Sequence, residues 1–62
     1  MLSENLKNAR LENGMTQKDV ADAVGVTQAA VHYFEEGVKT PSLSVMIALS
    51  KTLGRSIDML VK

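Results

Sequence analysis

Apolar residues recur along the chain at the three- and four-residue spacing of amphipathic helices, and no segment alternates long enough to form a strand. Serine or threonine precedes most of these stretches and glycine follows them, as is typical of helix starts and ends. The predicted capping residues are Ser3, Thr16, Thr27, Ser42 and Ser56, and the terminating glycines are Gly14, Gly25, Gly37 and Gly54. These signals predict five helices, over residues 3–13, 17–24, 28–36, 43–53 and 57–61.

The predicted fold class is all-α, a compact five-helix bundle, and residues 1–62 are expected to form one domain. The connections between the helices are too short for a long coiled coil, so the helices must pack on one another. The residues expected to face the core are Leu2, Leu6, Ala9, Val20, Ala21, Val24, Val31, Phe34, Leu43, Met46, Ile47, Leu53, Ile57, Leu60 and Val61.

The composition excludes several classes of function. Apolar residues make up 45% of the chain and aromatic residues only 3%, so the core must be aliphatic. With no cysteine and a single histidine, a zinc site of the usual kind is excluded, and a disulfide framework is too. No nucleophile, base and orienting acid stand at plausible positions, and there is no glycine-rich phosphate loop. We therefore expect no enzyme activity, no metal and no cofactor.

Neither a membrane span nor a signal peptide is expected. No apolar run approaches the ~20 residues of a spanning helix, and the first residues, MLSENLKNAR, lack the basic-then-apolar layout of a secretory signal. We therefore expect a cytoplasmic protein. Seven basic and seven acidic residues give a net charge of zero, which counts somewhat against nucleic acid as a partner. In so small a chain, however, the distribution of charge matters more than its sum.

Residues 17–36, QKDVADAVGVTQAAVHYFEE, form the most informative part of the chain. The connection Gly25-Val26-Thr27 is so short that the second helix must cross the first steeply, as in a helix-turn-helix. Ala21 permits the close approach of the two helices, and Gly25 permits the positive φ of the turn.

The second helix of this pair is predicted to expose a polar face. At ~100° per residue, its apolar residues share one side. The other side carries Gln28, Ala29, His32, Tyr33 and Glu36. Glutamine can pair with adenine, alanine can touch a thymine methyl group, and histidine or tyrosine can bond to bases or phosphates. The alternative is a solvated face, but such faces more often carry Lys, Glu and Arg, and this one has no Lys or Arg.

The segment TQKDVADAVGVTQAAVHYFEEG, followed by a lysine, a proline and an aliphatic helix, resembles the lambdoid phage repressor and Cro group, also called Xre-like regulators. The resemblance covers the chain from about Leu6 to Val61. It is carried by Thr16, Gln17, Ala21, Gly25, Thr27, Gln28, Val31, Glu35, Gly37, Pro41, Leu53 and Gly54. It implies a sequence-specific transcriptional regulator that inserts helix 28–36 into the major groove of double-stranded DNA.

The resemblance also implies particular site residues. The base-reading positions fall on Thr27, Gln28, Ala29, His32 and Tyr33, and the phosphate-contacting positions fall on Gln17, Lys39, Thr40 and Ser42. Lys7 and Lys18 are expected to assist. An ion pair is implied between Arg10 and Glu35; the alternative is two unrelated surface charges. Glu36 would repel phosphate, so only the first half of the helix is expected to enter the groove.

One such helix touches few base pairs, so a homodimer on a palindromic site is expected. Met59, Leu60 and Val61 are spare apolar residues that could form the dimer contact or simply close the core. No small-molecule effector is expected. The competing hypothesis is a protein-interaction or antitoxin-like module on the same fold with weak DNA binding, favoured by the zero net charge, Ala29 and Glu36.

Overall fold

Five α-helices and no strand make up the computed structural model, which describes residues 1–62. The helices are α1 Leu2–Glu12, α2 Gln17–Val24, α3 Gln28–Glu36, α4 Leu43–Leu53 and α5 Ile57–Val61. The predicted all-α fold class and the five predicted helices are confirmed, with bounds that differ by at most one residue. None of the five helices has the length and the apolar character that a membrane span requires.

Side-chain caps explain where four of the helices begin. The hydroxyls of Thr16, Thr27, Ser42 and Ser56 each accept a hydrogen bond from the backbone N–H three residues later. At α2 the Asp19 carboxylate also accepts from the Thr16 backbone N–H, at 2.9 Å, which completes a capping box. The predicted cap at Ser3 is wrong, because α1 starts one residue earlier with Met1 before it and has no side-chain cap.

The capping box makes stability depend on pH. The hydrogen bond from the Thr16 backbone holds the pKa of the Asp19 carboxyl below its ordinary value. The stability that the ionised Asp19 carboxylate contributes is therefore fully present above its unfolded-state pKa, about 3.9. It is lost as the pH falls through the lower folded-state pKa. Asp19→Asn should flatten the dependence of the melting temperature on pH below about pH 4. Thermal unfolding between pH 2.5 and 7 tests this, with Asp22→Asn on the same helix as the control; parallel curves for wild type and Asp19→Asn would contradict it.

The core is aliphatic apart from Phe34. Its fully buried members come from every helix: Leu6, Ala9, Val20, Ala21, Val31, Phe34, Met46, Leu49, Leu53 and Leu60. Two residues expected to line the core from α4 do not, since Leu43 is 72% exposed and Ile47 is 41% exposed. The helix is apolar on nearly all sides, so its pattern did not specify a face. Packing against α2 and α5 selects Met46, Leu49 and Leu53 instead.

The last helix closes the bundle against α1. The Asn5 side-chain amide donates hydrogen bonds to the backbone oxygens of Met59, at 3.3 Å, and Leu60, at 2.9 Å. Leu60 is buried, whereas Met59 and Val61 are exposed, so the prediction of Val61 as a core residue is wrong. In so short a helix only one side can reach the core, and Val61 follows Leu60 onto the outer side.

Candidate nucleic-acid interface

A tight turn fixes α3 against α2. Gly25 ends α2 with φ at +79°, a left-handed conformation that favours glycine. The backbone N–H groups of Gly25 and Val26 both donate to the Ala21 oxygen, at 2.9 and 3.0 Å. Val26 then packs against the core, and Thr27 caps α3. Ala21 is small and buried, which suits the close packing of α2 against α3, and the other side of α3 faces outward.

The predicted base-reading residues all lie on this outward face. Gln28, Ala29, His32 and Tyr33 are exposed along α3, and Thr27 is exposed at its start. The opposite side of the helix buries Val31, Phe34 and Glu35. The His32 and Tyr33 rings lie side by side, with centroids 5.8 Å apart and planes tilted by 56°. Glu36, the acidic residue of the face, is exposed in the last turn of α3, away from the turn after α2.

Free backbone N–H groups mark the starts of α2 and α3. The caps satisfy the N–H groups of Asp19 and Ala30, but those of Gln17 and Lys18, and of Gln28 and Ala29, precede any intrahelical acceptor. Such groups suit phosphate oxygens and carry the positive end of the helix dipole. They give a chain of zero net charge two positions at which it can attract an anion.

The segment after α3 folds back onto it. Gly37, at φ +75°, reverses the chain, and the N–H groups of Val38 and Lys39 then donate to the Tyr33 backbone oxygen at 3.0 and 3.3 Å. This places the Lys39 ammonium over the Tyr33 ring, 5.3 Å from its centroid. Thr40 is exposed, and Ser42 is the cap of α4, with its hydroxyl 3.2 Å from that of Ser44.

Arg10 and Glu35 form a buried ion pair. Arg10 Nε lies 2.7 Å from Glu35 Oε2, and Arg10 Nη2 donates to Glu35 Oε1 at 3.0 Å. A third donor of Arg10, Nη1, reaches the Met15 backbone oxygen at 3.0 Å. The hydrogen bonds to Glu35 are the main cause of the raised pKa of Arg10. With their side chains 11% and 3% exposed, these residues are not the unrelated surface charges of the alternative interpretation.

Gln17 joins this pair, a contact that the sequence did not reveal. Its Nε2 donates to Glu35 Oε1 at 3.2 Å, so the start of α2, the end of α3 and the last turn of α1 meet at one carboxylate. Only the folded arrangement brings these three positions together. The Lys39–Tyr33 contact was also missed, because it depends on how the turn at Gly37 folds back onto α3.

Surface charges leave Lys39 without a carboxylate partner. Lys18 pairs with Asp22, four residues later on α2, at 3.0 Å, and this pairing raises the pKa of Lys18. Arg55 pairs with Glu12. Lys39 has no carboxylate within ion-pair distance, so its charge is available to a ligand. No group of three or more His, Cys, Asp or Glu residues is arranged to hold a metal ion.

Two helices joined by a short turn with a glycine, the second of them exposing a polar face, are the features of a helix-turn-helix protein. The helix-turn-helix family model matches residues 6–60, and the chain therefore belongs to this family of transcriptional regulators, which is not a family of enzymes.

Among curated relatives, an uncharacterized HTH-type transcriptional regulator of Bacillus subtilis, YqaE, is 39% identical over 62 residues, all of this chain and 53% of the relative. The SPbeta prophage-derived regulator YonR of the same organism is 37% identical over 62 residues, all of this chain and 57% of YonR. The chain thus spans about half the length of these relatives. Among solved structures, the DNA-binding domain of the P22 c2 repressor is similar with a TM-score of 0.94 and 29% identity, over 100% of this chain and 82% of that one. The predicted phage-repressor type of fold is confirmed.

Proposed function

We propose that this chain is a DNA-binding regulator of repressor type that reads a specific sequence with α3. The observation that carries the proposal is the outward face of α3, which presents an amide, an imidazole and a phenol and has no Lys or Arg. These polar groups can hydrogen-bond to base edges in the major groove. The family of the chain and its likeness to a repressor's DNA-binding domain support the same function.

Binding would be divided between base contacts and phosphate contacts. Gln28 lies in the first turn of α3, the part of such a helix that reaches deepest into the major groove. Thr27, Ala29, His32 and Tyr33 would contribute the remaining base contacts. Gln17, Lys39, Thr40 and Ser42 would contact phosphates beside the groove, helped by the free N–H groups of α2. Helix ends would thus supply part of the attraction that a surplus of Lys and Arg supplies in other DNA-binding proteins.

A homodimer on a palindromic site is part of the proposal. A single α3 contacts too few base pairs to single out one site in a genome, and a second copy doubles the number that is read. Met59 and Val61 support this role because they remain exposed on α5 while Leu60 closes the core. In the competing hypothesis, the same fold serves as a protein-interaction module. The zero net charge and the exposed Glu36 favour it.

In vitro selection of DNA sites from a random library separates the two hypotheses. The proposed function predicts one enriched motif made of two inverted half-sites, whose centres lie about one helical turn, roughly 34 Å, apart. Enrichment of a single half-site would support sequence-specific DNA binding and contradict the proposed homodimer. No enriched motif, with affinity the same for all DNA, would favour the protein-interaction module.

The salt dependence of binding should report the charge of Lys39. If its ammonium neutralises a phosphate, Lys39→Ala should reduce the slope of log affinity against log salt concentration by about one unit per half-site. The slope can be measured by fluorescence anisotropy on the selected site. Lys51→Ala, which removes an exposed lysine from α4, should leave the slope unchanged. Equal slopes for wild type and Lys39→Ala would remove Lys39 from the phosphate contacts.

A further inference from the structure

The Tyr33 ring is held from two sides. On one side lies the His32 ring, with the centroids 5.8 Å apart, and the Lys39 ammonium lies over the ring at 5.3 Å. An ammonium at this distance from an aromatic centroid is attracted by the negative face of the ring. The Tyr33 hydroxyl has no hydrogen-bond partner within the protein, so it is free to bond to a ligand.

Backbone hydrogen bonds hold Lys39 next to Tyr33. The N–H groups of Val38 and Lys39 both donate to the backbone oxygen of Tyr33. Lys39 is therefore hydrogen-bonded through its backbone to Tyr33, and its side chain lies over the ring of the same residue. Gly37 provides the left-handed turn that allows it. Because Lys39 has no carboxylate partner, the ring is the partner of its ammonium in the protein alone.

We propose that Lys39 is a positioning residue for Tyr33, whose ring it holds, and that it thereby contributes to the base specificity of α3. The proposal rests on the proposed function, since it concerns how one of its readers is oriented. A lysine that only neutralised a phosphate would weaken binding to every DNA sequence alike. A lysine that orients a reader affects one base pair more than the others.

The first arm of the test uses the free protein. Tyr33 is the only tyrosine and there is no tryptophan, so fluorescence excited at wavelengths that phenylalanine does not absorb reports this ring alone. In NMR spectra, the Lys39 methylene protons should show ring-current shifts and nuclear Overhauser contacts to Tyr33. Tyr33→Leu should abolish both, and Lys39→Ala, but not Lys51→Ala, should change the Tyr33 fluorescence. Lys39 proton shifts that are identical in wild type and Tyr33→Leu would overturn the proposal.

The second arm measures discrimination on DNA. Site selection with Tyr33→Leu identifies the base pair that loses information, and affinities are then measured for the preferred site and for a site changed at that pair. Lys39→Ala should lower this affinity ratio by about two- to fivefold, the effect of a partly exposed cation–π contact. Lys39→Arg should retain the ratio, because a guanidinium also stacks on an aromatic face, and Lys39→Gln should not.

The double variant separates positioning from phosphate binding. In the Tyr33→Leu background, Lys39→Ala should weaken both sites equally, because no ring remains to be held. An equal loss on both sites in the wild-type background as well would overturn the proposal and leave Lys39 a phosphate contact only. So would a Tyr33→Leu variant that loses information at no base pair. If the wild type selects no site, the proposed function fails, and the proposal fails with it.

Discussion

Replacing Arg10 with alanine is expected to lower the free energy of unfolding by about 3 kcal/mol, because the Glu35 carboxylate would stay buried without its charged partner. The wild-type carboxylate accepts from Arg10 Nε and Nη2 and from Gln17 Nε2. After the change only the neutral Gln17 amide would remain. The lower end of the usual range applies because the Arg10 side chain is 11% exposed. Urea denaturation at pH 7 measures the effect.

Two further variants make this result interpretable. Lys18→Ala removes an exposed lysine whose pair lies in water, so its denaturation midpoint should stay close to that of the wild type. The double variant Arg10→Met/Glu35→Leu removes both charges and fills the space with apolar groups, so it should be more stable than either single variant. A chain of 62 residues has a total stability of only ~3–9 kcal/mol, so Arg10→Ala could leave much of the protein unfolded. The double variant then provides a folded protein for comparison. Equal midpoints for Arg10→Ala and Lys18→Ala would show that the pair contributes nothing.

The helix boundaries could be predicted because their signals are local. A hydroxyl three residues before the backbone N–H that it caps, and a glycine at a left-handed position, act within one turn of chain. That is why Thr16 and Gly25, for example, have in the structure the roles that the sequence indicated. The face of α4 was not predictable in the same way. Leu43 and Leu49 are equally apolar, and only the position of α2 and α5 decides which is buried.

The same distinction between local signals and long-range packing applies to the candidate interface. The outward face of α3 could be predicted, because Val31 and Phe34 fix one side of a regular helix and so expose Gln28 and His32 on the other. The contacts between distant parts of the chain could not. Gln17 meets Glu35 only after α2 and α3 have crossed, since eighteen residues separate them in sequence.

The hydrogen bond from Gln17 to Glu35 connects the buried ion pair to the candidate DNA-binding surface. The carboxylate that Arg10 neutralises also holds the side chain of the first residue of α2, next to the free N–H groups proposed to meet phosphate. The same residue, Glu35, belongs to α3. One buried carboxylate therefore links the start of α2 to α3. Under the proposed function, the end of α2 that would contact phosphate and the helix that would read bases are held together before DNA binds.

Replacing Gln28 with alanine is expected to weaken binding to the preferred DNA site by about 1–3 kcal/mol for each half-site. Gln28 is exposed in the first turn of α3, and its side-chain amide can both donate to and accept from the edge of one base. The loss should therefore be accompanied by relaxed selectivity at one base pair per half-site. In a dimer the affected positions would be related by two-fold symmetry.

Site selection on wild type and Gln28→Ala, side by side, tests this expectation. Asn8→Ala is the matched control, since it removes an exposed amide from α1 and should leave the selected motif unchanged. Thermal unfolding of all three proteins checks that the fold is retained, as the Gln28 side chain makes no contact that caps α3. If wild type and Gln28→Ala return the same motif with the same information at every position, Gln28 is not a reader. Base reading would then be assigned to the other proposed contacts, which are Thr27, Ala29, His32 and Tyr33.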